Sequence, residues 1–317
     1  MSPLMYCASP LDRCSNERKN KHWLKQQFNN ENTLFCLMHE GNNLFSQDDY
    51  QQPVFVSAEQ LPTFSLNSCV FLGKEDQRAI FAINCAKFSD SDIASINQLG
   101  QWLSLREAVT THTPNQAAIL ALAKALIHWH SINLYCSKCG HHSQSVDAGH
   151  ARRCTNNQCR NMSFPRTDPA VIMLVEKMFD DGIARCLLAR QESWPKGMFS
   201  TLAGFVDPGE TIEQTVIREV LEESNIQVIN PQYIRSQPWP FPASVMLGFT
   251  ATAINEDIDI SQDDLHDAQW FSRKDLANFA TKEEILPEDY AGYRISSADS
   301  ISSYLITAWK NKEIGQC

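Results

Sequence analysis

The sequence predicts a chain of mixed α/β class with a small metal-binding insert between two larger units. Three observations carry that expectation. Short β-like runs alternate with helical stretches along most of the 317 residues. Four cysteines stand in two close pairs near the middle, Cys136 with Cys139 and Cys154 with Cys159. Farther on, a glycine-bearing loop starting at Gly204 leads into an amphipathic helix with three glutamates on one face. A chain of this length has room for two domains, and 43% apolar residues is enough for ordinary globular cores. The expected division is 1–130, then the cysteine-bearing segment 131–165, then 166–317.

Taken in order, residues 16–28 are charged and read as helix. β-like runs follow at 33–38, 54–56, 69–72 and 79–84. At Thr113-Pro114 a hydroxyl cap and a first-turn proline start a helix whose alanine- and leucine-rich body covers 117–132. Residues 135–164 are polar and too poor in apolar side chains to form a core alone. Strand patterns resume at 170–176 and 183–189 around an Asp-Asp-Gly turn, which reads as a hairpin. A helix over 212–224, strands over 245–253 and 268–271, and a last helix near 300–309 complete the pattern.

Composition excludes some classes of function. A formal charge of −10, from 27 basic and 37 acidic residues, opposes a surface built for bulk nucleic-acid binding. An anionic substrate must therefore be met locally, by a metal or a few arginines. The longest apolar runs fall far short of a membrane span, and the first ten residues lack the pattern of a secretory signal. The cytoplasm is the expected compartment. The eleven cysteines agree, since Cys36, Cys69, Cys85 and Cys186 sit in apolar contexts that suit reduced thiols.

The other strong cysteine signal is the paired set. Cys136-x-x-Cys139 and Cys154-x-x-x-x-Cys159 are separated by fourteen residues, and each pair can offer two thiolates from one tight turn. Two such turns facing each other make a tetrahedral S4 site, and Gly140 suits the first turn. Four protein ligands leave no open position, so the expected metal is structural zinc. His141 and His142 lie close by as alternative ligands, but the cysteines already fill the shell.

In the segment from Gly204 to Ile226, Ile212, Val216, Val220 and Leu221 give a helical apolar face. Glu219, Glu222 and Glu223 fall at i, i+3 and i+4, so three carboxylates crowd one side. Like charges at that spacing destabilise a helix unless something positive sits among them. Hard oxygen donors of this kind describe magnesium or manganese shared with phosphates. A solvated acidic face would look the same taken alone.

The residues resemble a known pattern at this point. Gly204, Glu210, Arg218-Glu219, Glu222-Glu223 and Ile226 fall on the spacing of the Nudix box, with Asn225 where that family has glycine. Asparagine is the best substitute for glycine in a left-handed helix ending. A second block, Ser236-Gln-Pro-Trp-Pro-Phe-Pro-Ala-Ser244, is similar to the SQPWPFPxS signature of NADH pyrophosphatases. Three prolines stiffen it, and Trp239 and Phe241 offer flat faces suited to a base or nicotinamide. The resemblance covers roughly 125–310, with weaker support from Leu11-Asp12-Arg13 and from 102–106.

The resemblance implies a Nudix α/β/α sandwich, an embedded zinc ribbon, an N-terminal mixed α/β domain and a homodimer. It implies hydrolysis of NAD(H) to nicotinamide mononucleotide and AMP, and removal of NAD caps from RNA 5′ ends. By position it implies that Glu219, Glu222 and Glu223 hold divalent metal with the Ala203 carbonyl and Asp264. Asp264 stands where glutamate is commoner. Glu223 is the candidate base, and Arg218 is expected to hold Glu210 and the helix rather than touch substrate. Phe205 and Phe164 would hold the nicotinamide ring. The pocket would be lined by Gln237, Pro238, Trp239, Pro240, Phe241, Pro242, Ala243, Ser244 and Ser302, with Arg106 reaching a phosphate.

Two rivals stay open at this point. One is a Nudix hydrolase acting on ADP-ribose or another nucleoside diphosphate derivative. The other is an RNA-binding module with an inactive Nudix fold, drawing on Arg152, Arg153, Arg160 and Arg166 near the ribbon. A combined reading has those arginines guide the RNA behind an NAD cap. His128 and His130, flanking Trp129, read as packing or surface residues.

Overall fold

The computed structural model describes residues 4–48, 52–108, 113–262, 264–281 and 290–317. It divides into two compact units: residues 1–167 with 239–243, and residues 168–238 with 244–317.

The first unit contains α1 (Lys21–Phe28), β1 (Leu34–His39), β2 (Asn42–Phe45), β3 (Phe55–Val56), β4 (Cys69–Glu75) and β5 (Arg78–Asn84). It continues with α2 (Asp90–Ile96), β6 (Gln101–Leu103), α3 (Leu105–Ala108) and α4 (Pro114–Ile132). The ribbon adds β7 (Ser143–Val146), β8 (Ala151–Cys154) and β9 (Met162–Ser163). The helix expected over 16–28 is broken. A short 3-10 turn at Glu17–Lys19 ends at Asn20, which is extended and accepts from the His22 and Trp23 N–H groups as the cap of α1. Asparagine prefers that role to a helix interior.

Strands order as β4-β5-β1-β2-β6, with β3 also on β1. The β1/β5 pair is parallel, and both of its faces are buried. Cys36, Met38, Val70, Leu72, Ile80 and Ala82 point to one face and pack with Ala117, Leu120, Ala123 and Ile127 of α4. Phe35, Leu37, Phe71, Phe81 and Ile83 point to the other and pack with Leu24 of α1. The two-residue period of a strand produces this division. Because both faces are covered, these strands read in sequence as continuous apolar runs. β2 escaped the sequence reading because it opens on two asparagines. It is the return arm of a hairpin turned at Glu40 and Gly41, both at positive φ (50° and 80°), as a tight two-residue turn requires.

The second unit contains β10 (Asp168–Met178), β11 (Ala184–Gln191), β12 (Met198–Phe199), β13 (Leu202–Phe205) and α5 (Ile212–Ser224). It continues with β14 (Val228–Trp239), β15 (Ser244–Ala253), β16 (Leu265–Ser272), α6 (Arg273–Leu276), β17 (Arg294–Ile295) and α7 (Ile301–Lys310). The order is β14-β15-β10-β11-β16, with β13 also on β10. The predicted hairpin is β10/β11, closing at Met178 opposite Ala184.

β10 is buried from Ala170 through Glu176. Its odd residues Val171, Met173 and Val175 pack with Val216 and Val220 of α5. On the even side Glu176 accepts from Trp309 Nε1 of α7 at 2.8 Å. Helices on opposite faces of one sheet make the α/β/α sandwich that was expected. β14 was missed because prolines and polar residues interrupt it, which an edge strand tolerates. Leu221, placed on the apolar face of α5 from sequence, is 42% exposed. Val216 and Val220 carry that packing instead.

Candidate functional site

The second unit builds the carboxylate cluster from a strand, a loop and one helix. α5 starts at Thr211, whose side chain accepts from the Gln214 N–H while Gln214 reaches back to the cap, a capping box. It ends at Asn225, which is left-handed (φ 61°, ψ 14°) and donates its N–H to the Leu221 carbonyl at 2.8 Å. Asparagine thus fills the conformation for which glycine is the usual choice.

Arg218 is the hub between these ends. Its Nε and Nη2 donate to Glu210 at 2.7 and 2.9 Å. Its Nη1 donates to Glu219 at 2.9 Å and Glu222 at 2.8 Å, and Nη2 also reaches the Phe205 carbonyl at 3.0 Å. One cation therefore offsets the repulsion among three carboxylates. The bidentate Arg218 bond holds Glu210 down at about 2, with further help from the Asp207 N–H and Thr215. Glu219 goes the other way: burial raises it, against the opposing pull of Arg218. Glu223 is half-buried on the same helix.

The Glu219 carboxylate lies on the backbone of β13. A side-chain carbon added at Gly204 would stand 1.9 Å from the Glu219 carboxyl carbon, so only glycine permits this approach. Ala203, adjacent and half-buried, pairs with Ile172 of β10. The donor set of Glu219, Glu222, Glu223 and the Ala203 carbonyl is oxygen throughout, which fits a hard divalent cation. Asp264 lies just before β16 and is exposed. Among the described residues it forms no ligand cluster with the α5 glutamates, and those glutamates do not themselves approach within 4.8 Å as a group. Glu219 and Glu222 share one nitrogen of Arg218, its Nη1.

Other predicted residues of this unit divide into exposed and buried. Phe205 is 59% exposed, available to a flat ring. Gln237 is fully buried: its Nε2 donates to the Asp299 carbonyl at 2.6 Å, and its Oε1 accepts from the Ile301 N–H at 2.8 Å. Ser302 is buried too, its hydroxyl within 3.0 Å of the Ser200 and Thr201 hydroxyls and accepting from the Thr201 N–H. In this arrangement Gln237 and Ser302 fix the start of α7 rather than present free polar atoms. Pro238 is exposed and Ser244 buried.

The rest of the proline-rich block belongs to the first unit. Trp239 and Phe241 meet edge-to-face at 5.1 Å, and Tyr6 packs on both. Both rings lie against the apolar core, with Pro240 buried and Ala243 half-buried beside exposed Pro242. The Arg106 guanidinium sits over both rings, 5.6 and 5.8 Å from their centres. Phe164, after β9, is 62% exposed.

The four ribbon cysteines converge. Their sulfurs all lie within 4.8 Å of one another, with Cys136 to Cys159 at 3.9 Å and Cys139 to Cys154 at 3.4 Å. Tetrahedral edges built on roughly 2.3 Å Zn–S bonds are about 3.8 Å, so the set fits zinc with no position left open. Gly140 turns the first knuckle at φ 74°. His142 instead stacks on Tyr135 at 4.5 Å, and His141 stays outside the cluster.

Sequence reasoning missed a polar link inside this unit. His130 Nε2 donates to the Gly149 carbonyl at 2.8 Å, which leaves Nδ1 to accept from Arg152 at 2.8 Å. Arg152 also binds Ser143 twice and is buried, so it is not the surface arginine that its neighbours suggested. His150 Nε2 donates to the Phe71 carbonyl at 2.6 Å, joining the ribbon to the first sheet. A backbone acceptor 79 residues away leaves no trace in sequence.

The chain matches the NUDIX domain profile over residues 166–289, the NADH pyrophosphatase-like rudimentary NUDIX domain over 32–129 and the NADH pyrophosphatase zinc ribbon domain over 133–164. It is 30% identical to the NAD-capped RNA hydrolase NUDT12 of Homo sapiens, across 94% of this chain and 71% of that protein. The mitochondrial NAD(P)H pyrophosphatase NUDT13 of Homo sapiens is 35% identical, across 78% of this chain and 73% of its own. The NAD-capped RNA hydrolase NudC of Pseudomonas aeruginosa is 37% identical, across 63% and 70%. The chain belongs to the NADH pyrophosphatase family of Nudix hydrolases, the family that joins a rudimentary Nudix domain, a zinc ribbon and a catalytic Nudix domain.

Proposed function

We propose that this enzyme hydrolyses the pyrophosphate bond of NAD(H), giving nicotinamide mononucleotide and AMP, and removes NAD caps from RNA 5′ ends. The observation that carries the reading is the cluster on α5, where Arg218 binds Glu210, Glu219 and Glu222 beside the glycine backbone at Gly204. Magnesium or manganese, held by Glu219, Glu222 and Glu223 with the Ala203 carbonyl, would neutralise phosphate charge and acidify a water. Asp264, exposed just before β16, is the further ligand of this set.

In this mechanism Glu223 takes the proton of the attacking water, the P–O–P bridge breaks, and the leaving phosphate carries away the bridging oxygen. Arg218 keeps Glu210 ionised and fixes the helix at the loop. Phe205 supplies an exposed ring face for the nicotinamide. Trp239, Phe241 and Arg106 form a stiff aromatic–cation wall in the first unit, and within the second Gln237 and Ser302 fix the start of α7 while Ser244 opens β15. We further propose three domains at 1–130, 131–165 and 166–317, a homodimer, and a reducing compartment such as the cytoplasm. Four buried thiols support that compartment: burial pushes Cys36, Cys69 and Cys85 up to about 12 and raises Cys186 as well. No helix among the described residues is long and apolar enough to cross a membrane.

The test is turnover of NADH, ADP-ribose and NAD-capped RNA side by side, with magnesium and then manganese, and identification of products. Nicotinamide mononucleotide from NADH or capped RNA is expected. Preference for ADP-ribose would keep the chemistry and discard the substrate. No turnover at all would favour the RNA-binding rival.

A further inference from the structure

A cleft of about 850 Å³ lies within the first unit, away from the proline-rich block. One wall is the 3-10 turn and α1, which contribute Arg18, Lys19, Lys21 and Lys25. The facing wall is the β7–β8 hairpin of the ribbon, which contributes Arg153, Asn67 closing one side. Five cations thus meet one carboxylate, Asp147, in a chain whose net charge is −10. A run of basic residues on a helix is usually a solvated face. Here the run lines a cavity, and Arg153 from a different element lines the same cavity.

The cations are only lightly engaged: Arg153 Nε donates to the Met162 sulfur at 3.3 Å, and Arg18 is attracted by Asp147. Among the described residues, none of the five lies within 4.0 Å of a carboxylate. Arg18 makes one long bond, 3.5 Å to the Arg13 carbonyl, and its Nε is buried with no hydrogen-bond partner. Neighbouring Arg13 is pulled down by burial and then by repulsion from Arg18. A fold that gathers like charges in a concavity gains when an anion enters. The charges are spread along α1 and over two walls rather than aimed at one point, which fits a chain of phosphates better than one ion. Asn67, Gln144 and Ser145 add hydrogen-bonding groups of the kind that read ribose hydroxyls and unpaired bases.

We propose that this cleft binds the sugar–phosphate backbone of single-stranded RNA through Arg18, Lys19, Lys21, Lys25 and Arg153. The choice of RNA among polyanions rests on the decapping reading above; the charged cleft does not. The reading differs from the ribbon arginines singled out in sequence, because Arg152 is spent inside the fold and α1 supplies most of the charge.

The experiment measures fluorescence anisotropy of a short, uncapped single-stranded RNA on the full-length enzyme across a salt series. Wild type should bind with a slope of about −0.7 per phosphate neutralised. Lys21→Glu with Lys25→Glu, both exposed, should weaken binding at least about tenfold and flatten the slope, with NADH turnover unchanged. Arg153→Gln should weaken it from the other wall. Lys274→Glu with Lys312→Glu alters net charge equally on exposed sites of the second unit and should leave affinity alone. Equal loss in both double variants would reduce the effect to overall charge and overturn the site. So would wild-type RNA binding no tighter than that of inorganic polyphosphate. Because the RNA carries no cap, failed binding with intact NADH hydrolysis defeats the cleft alone, and the reverse defeats the hydrolase reading alone.

Discussion

Single residues decide the chemistry proposed for α5. If Glu223 is the base, Glu223→Gln keeps its shape and loses its proton affinity. Turnover of NADH should then fall by roughly 10²-fold or more with the melting temperature unchanged. A variant keeping a tenth of wild-type rate would remove Glu223 from that role. Gly204→Ala tests the approach of Glu219 to the backbone, since the added carbon would stand 1.9 Å from the carboxyl carbon. The clash falls on the end of a flexible side chain, so the fold survives while Glu219 is displaced. We expect kcat to drop about tenfold or more with little change in Tm; parallel losses of stability and rate would point to a damaged fold instead. At this scale the sequence was highly legible where spacing encodes geometry. Glutamates at i, i+3 and i+4 had to share a face, and an asparagine at the family's glycine position pointed to the left-handed ending that Asn225 adopts. It was poorly legible for Gln237 and Ser302, whose partners Asp299, Ser200 and Thr201 lie far along the chain.

At the scale of elements, the zinc ribbon and its links to the first sheet dominate. Its three strands bury little, so metal binding supplies much of its folding free energy. Stripping zinc with a strong chelator should release one equivalent and make residues 133–164 protease-sensitive, while the second unit keeps its protection. Zinc loss without new cleavage would show that the ribbon folds on its own packing. His150 gives the same region a pH dependence. Burial, with repulsion from Arg18 and Arg13, pushes its imidazole down to about 4 against the opposing bond to Phe71. Because the folded value lies below the unfolded one near 6.5, stability is full above pH 6.5 and falls as pH drops toward 4. The loss is on the order of 3 kcal/mol. Urea midpoints at pH 7 and pH 4.5 should show it, and His150→Gln should reduce the difference. An unchanged difference in the variant would assign it to the carboxylates.

For the whole molecule, the proposed homodimer predicts a solution mass near twice 35.9 kDa by light scattering. A monomer with full NADH turnover would separate activity from assembly. Stability and catalysis also divide between the units. The carboxylate cluster lies wholly in the second and the zinc site wholly in the first. The chain passes between them at 167–168 and again on either side of 239–243, a segment flanked by strands of the second unit.

The sequence by itself determined the features that local spacing encodes. The paired cysteines, the amphipathic helix α5, the β10/β11 hairpin and the mixed α/β class follow from periods of 3.6 and 2 and from turn chemistry over a few residues, while the α/β/α sandwich was implied by the resemblance to the Nudix box. Tertiary structure alone decided what depends on partners distant in the chain. It buried Arg152 against His130 and turned Leu221 outward. It made an edge strand of the proline-broken β14. It also set Trp239 and Phe241 beneath Arg106 and faced α1 with the ribbon hairpin to concentrate charge. Each of those outcomes is a contact between segments whose approach is fixed by the packing of whole sheets and helices, and no window of sequence contains both sides of it.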